Sequence, residues 1–110
     1  MNAALKTPGA PAPIEVHGIL IDPARHEATV DGAALGLTPS EFQILHLLAR
    51  RSGWVFTRAR IVDEIRGAGY PITDRAVDAH IVNLRRKIEP QPAKPRYLVS
   101  GRGLGYRFDG

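Results

Sequence analysis

Residues 73–90 read TDRAVDAHIVNLRRKIEP, and at 100° per residue they separate into two unlike faces. Val77, Ile81, Leu84 and Ile88 fall within about 60° of one another, a narrow apolar stripe that needs a core to cover it. Opposite stand Arg75, Ala79, Val82, Asn83 and Arg86, with His80 and Lys87 on one flank and Asp78 and Arg85 on the other. Pro90 stops the pattern, so a helix over 74–88 is expected. Its exposed face has basic ends and a middle of small residues. Such a helix suits a DNA major groove: arginines pair with phosphate or guanine, Asn83 can pair bidentately with adenine, and Ala79 and Val82 can pack on thymine methyls. A solvated amphipathic helix would carry the same stripe, and the rest of the chain has to separate the two.

Upstream, LTPSEFQILHLLARRSG (37–53) has the same helical period. Thr38 caps, Pro39 fits the first helical position, Glu41 completes a capping box, and Leu37 with Phe42 forms a hydrophobic staple. Phe42, Leu45, Leu48 and Ala49, widened by Ile44 and Leu47, predict a helix central to the core, ended by Gly53. FTRARIVDEIRG (56–67) repeats the device, with Thr57 as cap, Phe56 stapled to Ile61, apolar Ile61, Val62 and Ile65, and Gly67 as the stop. Before these helices, the apolar pieces IEVHGILI, EATV and ALGL, broken by DPARH and by Asp31-Gly32, predict short antiparallel strands. Residues 1–13, rich in Pro and Ala, read as a linker, leaving 14–110 as one domain.

After the loop PQPAKP, RYLVS and LGYRF read as two last strands joined through Gly101-Arg102-Gly103. The glycines of SGRGLGYRFDG raise the prospect of a phosphate loop. A dinucleotide fingerprint needs a third glycine where Tyr106 stands and a helix after it, and a P-loop needs Gly-Lys-Ser/Thr. Neither is present. The glycines instead predict a tight reversal with Tyr106 and Phe108 anchoring the return and Arg102 at the tip, where a narrow minor groove attracts an arginine.

Charge supports a polyanion partner. Residues 1–72 hold seven Lys/Arg against seven Asp/Glu, whereas residues 73–110 hold eight against four, so the whole excess of +4 lies in the last third. Nucleic acid is the first candidate for such a surface and an acidic membrane the second. The chain has no cysteine, which excludes thiolate metal sites and disulfides, and His17, His26, His46 and His80 lack metal-ligand spacing. Ser40, Ser52 and Ser100 have no nucleophile context. The expectation is a soluble, cytoplasmic protein that is no enzyme, with no metal, no cofactor, no catalytic residue and no membrane span.

RAVDAHIVNLRRKIE followed by YLVSGRGLGYRF resembles the effector domain of OmpR/PhoB-type response regulators, and LTPSEFQILHLLARRSGWVFTRARIVDEI with the preceding strands resembles the same family, over about residues 14–109. The resemblance implies an α+β winged helix-turn-helix: an N-terminal four-stranded antiparallel sheet, a three-helix core and a C-terminal β-hairpin wing. It implies a bacterial two-component transcription factor whose third helix enters the major groove and whose wing tip reaches the minor groove. Arg75, His80, Asn83 and Arg85 fall at helix positions that touch DNA in relatives, Ser100 and Arg102 at wing positions that do so, and Thr57 and Arg58 near the phosphate backbone. Arg86, Val82 and Ala79 join them from the face reading alone.

The loop GAGYPIT resembles a segment that contacts RNA polymerase in relatives, with Tyr70 as the exposed candidate. The resemblance also implies an upstream receiver domain, missing from this chain, whose phosphorylation drives tandem dimerisation on direct repeats, the isolated domain being monomeric. Four residues depart from the family: Val82 and Asn83 stand where relatives often carry basic residues, Arg66 replaces a common tryptophan, and Gly101 replaces a frequent apolar residue. The alternative is a winged-helix module for protein–protein contact, its basic surface facing an acidic partner or a receiver domain.

Overall fold

Two of the three connections in the N-terminal sheet are two-residue turns. The computed structural model of the protein describes residues 11–110, so residues 1–10 of the expected linker 1–13 lie outside the described residues. Strands β1 (Ile14–Val16), β2 (Ile19–Asp22), β3 (Glu27–Val30) and β4 (Ala33–Ala34) pair antiparallel in chain order. Asp31 (φ 48°) and Gly32 (φ 86°) form the expected turn between paired Val30 and Ala33. The piece IEVHGILI is not continuous: His17 (φ 54°) and Gly18 (φ 77°) make a second turn of the same kind between Val16 and Ile19. His, like Asp, tolerates positive φ better than most residues, which is why a turn without an Asn or Asp signal forms there. ALGL contributes little strand, because Gly36 (φ 66°) turns the chain before α1.

Helix α1 (Pro39–Arg50) carries the full capping box: Thr38 Oγ1 accepts the Glu41 N–H at 3.2 Å, and Glu41 Oε1 accepts the Thr38 N–H at 3.0 Å. Phe42, Ile44, Leu45, Leu47, Leu48 and Ala49 are all buried. Helix α2 (Arg58–Gly67) is capped by Thr57, whose Oγ1 accepts the Arg60 N–H at 3.1 Å. Its stop is Gly69, not Gly67. Gly69 (φ 95°) donates to the Arg66 carbonyl and Tyr70 to the Ile65 carbonyl, the paired 5→2 and 6→1 bonds that close a helix through one left-handed residue. Gly67 is still helical.

Helix α3 (Asp74–Ile88), capped by Thr73, buries its stripe of Val77, Ile81, Leu84 and Ile88 completely or nearly so. Each such aliphatic side chain contributes about 1.5–3 kcal/mol of transfer free energy, enough to hold the helix on the core. Strands β5 (Leu98–Ser100) and β6 (Tyr106–Phe108) form the wing, and Phe56 adds an antiparallel bridge through reciprocal bonds with Tyr106 of 2.8 and 2.9 Å. The path from α3 into β5 is held by one carboxylate. Glu89, buried, accepts the backbone N–H groups of Arg96, Tyr97 and Leu98 at 2.7–3.2 Å.

Candidate nucleic-acid interface

Burial of the apolar stripe turns the opposite face of α3 outward. Arg75, Ala79, Val82 and Arg86 are exposed and Asn83 is half-buried, as the helical wheel requires. Among the described residues neither Arg75, Arg86 nor Arg102 is in an ion pair. Their charge therefore stays available to a polyanion. His80 sits lower on the flank, half-buried, and its Nδ1 is enclosed without a hydrogen-bond partner. Lys87, beside it, donates to Glu41 Oε1 at 2.7 Å and to the Gly36 carbonyl at 3.0 Å. That flank is attached to α1.

The other flank is attached to α2 and the wing. Arg85 donates from Nε to the Leu98 carbonyl at 2.9 Å, reaches Ser100 Oγ at 3.5 Å, and lies over the Tyr106 ring at 5.6 Å. Sequence placed Arg85 among freely available cations; in the fold its planar fork bonds α3 to β5 and only part of its donor set remains. Asp78 accepts from Arg58 Nε at 2.8 Å and from the Tyr106 hydroxyl at 2.5 Å. The Arg58 guanidinium and the Tyr106 hydroxyl hold the Asp78 carboxyl below its ordinary value, while burial and Asp78 push the Tyr106 phenol up. Nothing in the sequence marks Asp78 or Tyr106 as joining these elements. Their contacts span 20 and 28 residues, and nothing in a helical period reports a partner at that distance.

The wing tip differs in detail from a Gly101-Arg102-Gly103 reversal. The turn runs from Gly101 to Leu104, whose N–H bonds the Gly101 carbonyl at 2.9 Å, and its left-handed residues are Arg102 (φ 54°) and Gly103 (φ 74°). Arg102, a non-glycine, takes the strained position itself and stands exposed, with Leu104 exposed beside it. Gly101 and Gly105 serve close packing: a Cβ on Gly101 would lie 2.6 Å from Val55 Cγ1, and one on Gly105 only 2.0 Å from the Phe56 carbonyl oxygen. That accounts for glycine where an apolar residue is frequent. Thr57 and Ser100 are exposed and each uses its oxygen as an acceptor, toward Arg60 N–H and Arg85, leaving its own O–H free to donate.

Tyr70 is not an exposed contact. It is half-buried against the core and its ring and hydroxyl face His26, with ring centroids 6.0 Å apart and an oxygen–Nε2 distance of 3.4 Å. The Schellman closure that ends α2 carries Tyr70 back onto Ile65, which is why an aromatic in a glycine-rich loop folds inward. Arg66, in place of tryptophan, donates from Nε to the Ile72 carbonyl at 3.1 Å and so braces the same loop from its other side. Among the described residues no group of three or more His, Asp or Glu side chains is placed to hold a metal, and no helix is long and apolar enough to cross a membrane.

The family described as "Transcriptional regulatory protein, C terminal" matches residues 32–108. The sensory transduction protein RegX3 of Mycolicibacterium smegmatis is 40% identical over 97 residues, covering 88% of this chain and 42% of that protein. The chain thus spans about two fifths of the length of its curated relatives. Among solved structures, the DNA-binding domain of CpxR from E. coli is 37% identical with a TM-score of 0.74, over 89% of this chain and 96% of that one. The RstA DNA-binding domain of Klebsiella pneumoniae, solved in complex with the RstA box, is 29% identical with a TM-score of 0.76, over 88% and 96% of the two chains. Sheet order, three-helix core, wing and family match agree, and the chain belongs to the transcriptional regulatory protein C-terminal family, the winged-helix effector domains of OmpR/PhoB-type response regulators.

Proposed function

We propose that this chain binds double-stranded DNA sequence-specifically and controls transcription as the effector domain of a two-component response regulator. The observation that carries this reading is the outward face of α3, where Ala79, Val82 and Asn83 accompany Arg75 and Arg86, two arginines in no ion pair among the described residues. A major groove about 12 Å wide admits such a helix. In this reading Asn83 and Val82 read base edges, Ala79 lets the helix approach, Arg75, Arg86 and the exposed part of His80 contact base or phosphate, and Arg102 enters the minor groove. Thr57, Arg58 and Ser100 donate to phosphates, and Arg85 contributes through the donors it does not spend on the wing. Fewer basic residues at 82 and 83 mean fewer phosphate contacts and a base preference of its own.

The arrangement on DNA belongs to the same proposal. Two copies occupy direct repeats in tandem, driven by an upstream receiver domain and its phosphorylation, and the loop 67–73 meets RNA polymerase through its exposed Pro71 and backbone, with Tyr70 as the inward anchor of that loop. Selection of bound duplexes from a random pool by the 110-residue chain, followed by sequencing, tests the central claim. An enriched motif is expected, with affinity falling steeply as salt rises because bound phosphates release counterions. A pool that returns without enrichment, or DNA-induced chemical-shift changes confined outside residues 74–88 and 96–108, would favour the protein–protein module instead.

A further inference from the structure

A carboxylate at the edge of a DNA-facing helix should repel phosphates, and Asp78 occupies such an edge. Its surroundings reverse that role. Asp78 Oδ1 takes the Nε of Arg58, on the first turn of α2, and the hydroxyl of Tyr106, on the wing strand β6. The Arg58 guanidinium also lies over the Tyr106 ring at 5.7 Å, and the Arg85 guanidinium lies over the same ring at 5.6 Å. Tyr106 in turn is fixed by its backbone bridge to Phe56, one residue before the cap of α2. One carboxylate oxygen therefore joins the three elements that carry the proposed DNA contacts. Asp78 engages Arg58 at Nε, and beside the Tyr106 hydroxyl the Nη groups make no ion pair among the described residues. They are the half of the guanidinium fork that suits a phosphate.

We propose that Asp78 is a positioning residue for DNA binding, holding Arg58 in its phosphate-facing orientation and setting the wing against the recognition helix. This rests on the DNA-binding reading above and goes beyond it, since it assigns a favourable role to a negative charge at the interface. The charge is already compensated within the protein by Arg58. Removing it gains no attraction and releases a long, rotatable cation from its single orientation.

A double-mutant cycle decides the matter, read as the dissociation constant for one duplex at several salt concentrations, with melting temperature and amide spectra as fold controls. Asp78→Asn is expected to weaken binding about five-fold, the equivalent of one exposed ion pair, and to flatten the salt slope by up to about one. Asp74→Asn removes the same charge from the same helix at a residue in none of the ion pairs among the described residues, and should leave binding equal or tighter. In the Arg58→Ala background the sign should reverse, Asp78→Asn now tightening binding because the carboxylate it removes has lost its cation. Binding of Asp78→Asn equal to or tighter than wild type would overturn the proposal. So would equal weakening with Arg58 present and absent, which marks a purely structural residue. If Asp78→Asn fails to fold, Tyr106→Phe gives the same decision: weaker binding supports the assignment and unchanged binding overturns it. Failure of the wild-type chain to bind any duplex would instead strike the DNA-binding reading itself, and this one with it.

Discussion

The Nζ of Lys87, in the last turn of α3, lies 2.7 Å from Oε1 of Glu41, in the first turn of α1, and the Glu41 side chain is almost wholly enclosed. Burial pushes the Glu41 carboxyl up; the Lys87 ammonium and the Thr38 N–H outweigh it and hold the group below its ordinary value. A carboxyl with a depressed folded value contributes stability that is complete above its unfolded value and is lost as pH falls through the folded one. Lys87→Met strands a buried carboxylate and should cost about 3 kcal/mol at pH 7. Urea unfolding at pH 7 and pH 3 checks it: the penalty should shrink at the lower pH, because without Lys87 burial favours the neutral carboxyl and the variant takes up a proton more readily.

His46 titrates in the other useful window. Burial, with Arg50 and His26 nearby, pushes its imidazole below the ordinary histidine value, and its Nε2 is enclosed without a partner. The unfolded chain takes up the proton first as pH falls, so stability declines from about pH 6.5 downward through the folded value. His46→Phe should remove this decline and change stability at pH 8 by less than about 1 kcal/mol, since no hydrogen bond of Nε2 is lost. Melting temperature against pH from 8 to 5 gives the comparison.

Gly105 and Gly101 should respond unequally to alanine. At Gly105 the added Cβ meets a backbone oxygen at 2.0 Å, and the reciprocal Phe56–Tyr106 bonds must break to admit it. A loss above about 3 kcal/mol is expected. At Gly101 the obstacle is the Val55 side chain, itself exposed and able to rotate, so overpacking of about 1–2 kcal/mol is the expected cost. Heat unfolding ranks the two, and amide exchange at Phe56 and Tyr106 should quicken in Gly105→Ala first.

Asn83→Ala and Arg102→Ala should part ways on DNA. Loss of the Asn83 amide should relax preference at one base pair by about 1–3 kcal/mol while binding to other sequences changes little. Arg102→Ala should weaken binding with an unchanged melting temperature, because the side chain is exposed and in no ion pair among the described residues. Competition binding against single-base variants of the selected site separates the two outcomes, and a uniform loss for Asn83→Ala would count against its role as a reader.

What the sequence conveyed well was periodic or local. The α3 stripe, the capping box of Thr38 and Glu41 and the Asp31-Gly32 turn each depend on residues a few positions apart, and each formed as expected. The stop of α2 slipped from Gly67 to Gly69 because two glycines were available and only the 6→1 bond of Tyr70 selects between them. Tyr70 itself turned inward for the same reason. The exposed face of α3 was legible from its wheel, but the flanks were not. Whether Asp78, Arg85 and Lys87 point at solvent or at Arg58, Leu98 and Glu41 depends on where α1, α2 and the wing come to rest, which is information held by contacts 13–46 residues apart.

The attachment of α3 along both flanks has a corollary for base preference. Lys87 on one side and Asp78 with Arg85 on the other keep the helix seated without help from positions 79, 82, 83 or 86. Under the proposed DNA-binding reading, substitutions at those four positions should alter base preference while leaving these attachments, and with them the seat of the helix, in place.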